Sequence, residues 1–164
     1  MKRLLIMRHA KSSWSEQGQP DFERGLNARG NKDAPEMGKR IYAKGFKPDI
    51  LIASAAKRTS KTAKLVAQQL HYPADKIVYE MDMYEAEISD MLHIIRSLND
   101  KQNNAILFGH NPTVTGLVGY LSDKLIETLP TSGVALIEFD ILTWPQVAQH
   151  KGHLVWFDFP KSEI

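Results

Sequence analysis

The sequence predicts an α/β protein, a three-layer α/β/α sandwich around a mostly parallel sheet with an antiparallel edge. Three observations carry this. Short apolar runs of strand length alternate with longer segments of helical period. Three of the runs, LLIM (4–7), ILIA (50–53) and AILF (105–108), are apolar without a break, as expected of strands covered on both faces. The last two, VALIEF (134–139) and HLVWFDF (153–159), carry more polar residues and are joined by an irregular link containing Pro145, with no clear crossover helix. They read as an antiparallel pair at one edge.

In chain order, LLIM is the first strand and ends at Arg8 and His9. The segment from Lys11 to Asn27 has no clear period and carries Ser12, Ser13, Ser15, Gly18 and Pro20, so it reads as one long loop. Loops beyond about 12 to 15 residues are uncommon inside compact domains and often functional. Helical period follows over 30–44, then the strand ILIA, a helix over 58–70 and a third strand, KIVY (76–79). A helix over 88–98, the strand AILF and a helix over 112–121 lead to the terminal strand pair. No repeat, low-complexity tract or composition shift divides the chain, so residues 1–164 are expected to form a single domain.

Bulk properties narrow the function. With 43% hydrophobic and 24% charged residues the chain has the composition of an ordinary globular protein. Its 21 Lys and Arg against 19 Asp and Glu leave a net charge of +2, which gives no reason to expect a nucleic-acid partner; any useful positive field must be local. The lack of cysteine removes disulfides, thiolate metal sites and a Cys nucleophile, and fits a reducing compartment, so the expected location is cytoplasmic. The apolar run in MKRLLIM is four residues long before Arg8, too short for a signal-peptide core or a membrane span.

In an open parallel sheet the strand carboxyl ends share one edge, and ligands bind there where crossover direction reverses. The first strand ends at Arg8-His9, the second at Ser54 with Arg58 four residues later, and the fourth at Gly109-His110-Asn111-Pro112. Two arginines and two histidines thus fall on one edge with little opposing charge, an arrangement that is costly unless an anion occupies it. A phosphoryl group suits it best. Asn111 and Pro112 form a good N-cap and N1 pair, and Ser54 is a candidate cap upstream of Arg58; helix N-termini favour an anion. Taken singly, Arg58 within KRTSKTAK also reads as solvated helix surface, and it is the common edge that unites the four.

These residues resemble the histidine phosphatase superfamily. Arg8-His9-Ala10 matches its RHG-type motif, Ser54, Arg58, Thr59, Thr62 and Ala63 its SxxxRTxxTA pattern, Gly109 to Pro112 its late GHNP motif, and RGLNARG (24–30) its RPLTxRG segment. The small size and the HAKSSW, YEAE and GHNP wording look most like the SixA-type phosphohistidine phosphatase branch. Ala10 stands where glycine is common and Gly25 where proline is frequent, and neither change removes a chemical group.

The resemblance implies covalent catalysis. Neutral His9 attacks phosphorus and becomes a phosphohistidine that water hydrolyses. Arg8, Arg58 and His110 bind the equatorial oxygens, the arginines take the place of a divalent cation, and no metal or other cofactor is expected. Cationic neighbours are expected to lower the pKa of His9. The family usually supplies an acidic proton donor after the third strand; Glu85 is the candidate, with Asp82 and Glu80 behind it, against the alternative of a solvated acidic loop. Asn111 and Ser12 are assigned to substrate binding. So is Arg24, which either reaches the phosphate rim or pairs with Asp21 or Glu23, while Trp14 either shapes the pocket mouth or anchors packing. Thr131, Ser132 and Gly133 precede a strand and either lie near the site or form a plain turn, and His71, His93, His150 and His153 read as surface or core.

The expected partner is a phosphorylated substrate, a phosphohistidine protein or a small phosphate ester, with no nucleic acid and no membrane. A metal-dependent hydrolase would need a ligand array such as HExxH, which is lacking. A phosphoglycerate-mutase-like enzyme normally requires a longer chain. A non-catalytic phosphate-binding module would use the same pocket and is separated from an enzyme by turnover alone.

Overall fold

The computed structural model describes residues 1–14 and 17–160; Ser15, placed above in the long loop, lies outside the described residues. The main elements are β1 (Lys2–Arg8), α1 (Ala28–Ala43), β2 (Ile50–Ser54), α2 (Lys57–Gln69), β3 (Val78–Glu80), α3 (Ile88–Arg96), β4 (Asn104–Gly109), α4 (Thr113–Leu121), β5 (Val134–Phe139) and β6 (Gly152–Asp158). They form one six-stranded sheet in the order β3-β2-β4-β1-β5-β6. The β3-β2, β2-β4 and β4-β1 pairs are parallel, and β5 runs antiparallel to both β1 and β6. The expected fold class and antiparallel edge are both present.

Alternation along each strand explains the unbroken apolar runs. Leu4, Ile6, Ala105 and Leu107 point into a core with Met91, Leu92 and Ile95 of α3 and Val114, Leu117 and Val118 of α4. Leu5, Met7, Ile106 and Phe108 point into a second core with Met37 and Ile41 of α1 and Ala63, Val66 and Ala67 of α2. Both faces are covered, and each fully buried aliphatic side chain contributes about 1.5 to 3 kcal/mol. KIVY proves the weakest strand assignment. Ala74–Lys76 forms a 3-10 turn, which delays the short edge strand β3 to Val78.

Topology fixes where a ligand can bind. From β1 the chain runs through α1 and α2 to β2 and β3 on one side; α3, on the other face, returns it to insert β4 between β2 and β1. The connections leaving β1 and β4 therefore diverge, opening a crevice at the carboxyl ends of these two neighbours.

The long loop folds back on itself beside that crevice. Ser12 bridges Leu26, the Ser13 amide donates to the Gly25 carbonyl at 2.8 Å, and the Asn27 amide donates to the Lys11 carbonyl at 3.0 Å. Asn27 then caps α1, its side chain accepting from the Gly30 amide at 2.8 Å. At Gly30 the helix presses on the loop so closely that a Cβ would lie 2.2 Å from the Lys11 carbonyl oxygen. In an unconstrained helix Gly→Ala would stabilise by about 1 kcal/mol. Here Gly30→Ala is expected to have the opposite sign, costing about 2 kcal/mol or more and lowering the melting temperature by about 4 to 8 °C; a calorimetric scan showing an unchanged or raised value would disprove this close contact.

Candidate active site

The register of the two central strands assembles the site. Arg8 lies opposite Gly109, so the residues that follow, His9 and His110, emerge side by side, with ring centroids 5.2 Å apart. The His9 amide donates to the Gly109 carbonyl at 3.1 Å, and on the other side the Ser132 amide donates to the His9 carbonyl at 3.1 Å. Arg58 enters from the first turn of α2. Arg8, His9, Arg58, His110, Asn111, Arg24 and Ser12 all line one cavity of about 730 Å³. Glu85 is not brought there: it is exposed and lines an adjoining cavity of about 410 Å³ that shares His110 and Asn111.

Hydrogen bonds settle the proton positions on both imidazoles. His9 Nδ1 lies 2.7 Å from the Ala10 carbonyl oxygen, which only accepts, so Nδ1 carries the proton and Nε2 of the neutral ring keeps its lone pair. The Arg58 guanidinium, which only donates, meets His110 Nδ1 at 3.4 Å, leaving the His110 proton on Nε2, where Ser54 Oγ accepts it at 2.8 Å and Thr59 Oγ1 stands 3.2 Å away. His9 is buried, and its pKa is pushed down to about 3, by burial first and then by the charges of His110, Arg58 and Arg8, against the raising effect of the Ala10 bond. His110 is pushed down to about 4, again by burial first and Arg58 second. The expected lowering at His9 is present, with desolvation ahead of the cationic neighbours as its cause.

Two candidate caps act differently from expectation. α2 starts at Lys57 with Ala56 as its N-cap and no side-chain cap bond; Ser54 Oγ reaches only the Ala56 amide, at 3.3 Å, and accepts from His110 at 2.8 Å. α4 starts at Thr113, one residue later than the Asn111-Pro112 pair implies, yet the Asn111 side chain still caps its first turn, Oδ1 accepting from the Thr115 amide at 3.2 Å and the Thr115 hydroxyl at 2.7 Å. The Asn111 amide donates to the Leu129 carbonyl at 3.0 Å, the oxygen that also accepts from Arg8 at 3.2 Å. Thr62, part of the SxxxRTxxTA pattern, accepts from the Ala10 amide at 2.9 Å and donates to the Arg58 carbonyl at 2.8 Å.

The expectation of little opposing charge is corrected by Asp21. Its Oδ1 accepts from Arg24 at 2.9 Å, its Oδ2 from Arg58 at 3.0 Å and from the Tyr84 hydroxyl at 2.7 Å, and its backbone carbonyl accepts from Arg58 at 2.8 Å. These donors hold the carboxyl below the usual carboxylate range, the Tyr84 bond most of all. Arg24 thus pairs with Asp21 while also lining the cavity; it donates to Ser12 and lies 3.7 Å under the Trp14 ring. Arg8 Nε and Arg58 Nε are buried with no hydrogen-bond partner among the described residues. Guanidinium donors beside a neutral imidazole can hold a tetrahedral anion against a nucleophilic nitrogen.

Sequence reasoning undervalued Asp21 and Thr131 and missed Tyr84 and Lys11. Lys11 and Thr131 line the cavity, so the TSG turn is part of the site. Only the third position before Arg24 hinted at Asp21. His71, His93, His150 and His153 do not line the cavity; His71 packs edge-on against Tyr42 and His153 pairs with Asp123 at 2.8 Å. Among the described residues no cluster of three or more His, Asp or Glu side chains is arranged to hold a metal ion, and no helix is long and apolar enough to cross a membrane.

Comparison with known proteins gives concordant matches. The model of the histidine phosphatase superfamily (branch 1) matches residues 4–104. An uncharacterized chloroplastic protein of Arabidopsis thaliana is 27% identical over 94% of this chain and 74% of its own length. The uncharacterized phosphatase PhoE of Bacillus subtilis is 34% identical over 52% of this chain, and the match spans 42% of that protein. Among solved structures, one from Agrobacterium tumefaciens, assigned as the phosphohistidine phosphatase SixA, superposes with a TM-score of 0.82 and 27% identity over 97% of this chain and 98% of that one. The protein histidine phosphatase SixA complexed with tungstate superposes at 0.83 with 19% identity, over 96% and 97%, and shares the fold.

The buried imidazoles have a direct readout. Of the six histidines, His9 and His110 are expected to remain neutral across pH 5 to 8 in an NMR pH series and to titrate near 3 and 4. A His9 resonance with a midpoint near the ordinary value of about 6.5 would contradict the burial argument.

Proposed function

The chain belongs to the histidine phosphatase superfamily, and on that premise we propose that it is a metal-independent phosphatase acting through a phosphohistidine on His9, with protein phosphohistidine as its substrate. The observation that carries this is the buried His9 ring, tethered through Nδ1 to the Ala10 carbonyl, with Nε2 left to react among guanidiniums.

The lone pair on His9 Nε2 attacks phosphorus as the bond to the leaving group breaks, and the phosphoryl group passes to the ring. Arg8 and Arg58 donate to its oxygens, with Arg24, Asn111 and Ser12 at the rim, so charge is stabilised by groups fixed before the reaction starts. His110, held against Ser54 and Thr59, forms the wall opposite His9 as a neutral ring. Water then attacks the phosphorylated His9 and releases inorganic phosphate.

The substrate assignment follows from proton supply. An alkoxide leaving group needs a proton donor, yet no carboxyl group lines the cavity among the described residues: Asp21 is tied up as an anion and Glu85 lines the neighbouring cavity. A phosphohistidine whose second ring nitrogen has taken a proton from solvent expels a neutral imidazole, so its departure needs no proton from a carboxyl group of the cavity. The A. tumefaciens structure, assigned as a phosphohistidine phosphatase, supports the same choice. Glu85 accordingly carries no step in this scheme. On this reading the function belongs to a single domain over residues 1–164 acting in the cytoplasm, and the net charge of +2 gives no reason to expect a nucleic-acid partner.

Purified protein should release phosphate from a phosphohistidine protein at least about 10-fold faster, in kcat/KM, than from p-nitrophenyl phosphate or sugar phosphates. His9→Ala should lower turnover by about 10³ or more and abolish an acid-labile, alkali-stable phosphoenzyme trapped in the parent. Retained turnover in His9→Ala would remove the covalent mechanism, faster hydrolysis of the small esters would remove the substrate assignment, and stoichiometric phosphate binding without turnover would identify a binding module. Arg58→Ala should cost about 10² to 10³ in kcat.

A further inference from the structure

Asp21 contributes nothing to the chemistry just described, yet it is the most heavily engaged carboxylate near the site. We propose that Asp21 is a positioning residue that holds Arg58 and Arg24 from behind and reduces the charge of the cavity to match a single phosphoryl dianion. The inference deepens the phosphatase reading and rests on it for its turnover arm, while its binding arm does not.

The geometry supports both parts. Arg58 gives one terminal nitrogen to the Asp21 carbonyl at 2.8 Å and the other to Asp21 Oδ2 at 3.0 Å, so a single residue fixes both prongs of its fork. Arg24 bonds Oδ1 at 2.9 Å and, through its Nε, at 3.3 Å. Both guanidiniums line the cavity and Asp21 does not, which leaves it on their rear side. Tyr84 completes the hold from the loop after β3, donating to Oδ2 at 2.7 Å while packing edge-on against Phe22 and against His110. Its neighbour Glu85 adopts a left-handed backbone, φ 57°, a conformation unusual for this residue type that turns the chain directly after Tyr84. Two loops from different parts of the sequence therefore converge on one carboxylate.

Charge follows by counting. Arg8, Arg24 and Arg58 contribute three positive charges, the two imidazoles are neutral and Asp21 contributes one negative charge, leaving two, the charge of a phosphoryl dianion. Lys11 stands exposed at the mouth, where water and salt screen it; the Asp21 side chain is itself 48% exposed, but it touches Arg24 at 2.9 Å and Arg58 at 3.0 Å, so its charge acts directly on the two guanidiniums. Without Asp21 the site would carry an extra positive charge and two guanidiniums freer to swing. Anions would bind more tightly, in a geometry less suited to transfer, and product would leave more slowly.

A structural role alone does not produce that pair of opposite effects. In Asp21→Asn, inorganic phosphate measured by calorimetry is expected to bind about 10-fold tighter, while kcat falls about 10-fold or more; Asp21→Glu should recover part of the lost turnover. Unchanged affinity and turnover, or weaker phosphate binding together with lost turnover, would overturn the proposal. Tyr84→Phe keeps every charge and carries the test if the Asn protein does not fold: kcat should drop about 3-fold with phosphate affinity unaltered, and a variant with parental kcat would overturn it. If the parent turns over no substrate, the phosphatase reading fails separately, and phosphate affinity in the Asn protein still decides the charge argument.

Discussion

The parallel pairing of β1 with β4, with Arg8 opposite Gly109, determines where every reactive group lies. The two strands are neighbours in space although about 100 residues separate them, because α3 returns the chain across the opposite face of the sheet from α1 and α2. A slip of one residue would turn each apolar side chain of β1 toward the wrong core and carry His9 away from His110. Both cores therefore enforce the register, and the reactive pair inherits a precision that its own polar contacts would not supply. This is why so much burial stands behind so small a site.

A second layer of constraint comes from the stretch between Ser54 and Ala63. Ser54 and Thr59 hold His110, Thr62 holds the backbone on either side of the cavity through the Ala10 amide and the Arg58 carbonyl, and Ala63 is buried in the core shared by α1 and α2. The hydroxyls do not face substrate as reactants. They satisfy groups that would otherwise be buried without partners, at a cost of about 1 to 3 kcal/mol each, and in doing so they join β1, α2 and β4 into one frame. Ala10, fully buried against that frame, accommodates its extra methyl because the contact at this point is made by the backbone amide.

The legible parts of the sequence were those with a local physical signature. Unbroken apolar runs marked β1, β2 and β4, and residues at their carboxyl ends marked the edge where Arg8, His9, Arg58 and His110 meet. The cap assignment was less accurate for Ser54 than for Asn111, since a side chain able to cap a helix is also able to serve a more distant partner, and tertiary geometry decides between them. Asp21 and Tyr84 were illegible for another reason. Each sits in an aperiodic loop, and their mutual bond spans 63 residues, so neither spacing nor composition connects them. Glu85 shows the converse: proximity to Tyr84 in sequence made it conspicuous, while the left-handed turn at its own backbone separates it from the cavity of His9.

The order of causes at His9 bears on how the site would work when filled. Were its low pKa due to the arginines alone, a bound dianion would cancel their field and return the ring toward its ordinary value, protonating the nucleophile at the moment of attack. Burial comes first instead, and an anion entering the cavity displaces water and deepens the desolvation. His110 is less enclosed, half-buried rather than buried, and the arginine beside it ranks second among the causes of its shift. A dianion that neutralises Arg58 therefore raises the pKa of His110 more than that of His9. Two adjacent imidazoles with different contacts are thereby affected unequally by the same ligand, and the one that changes least is the nucleophile.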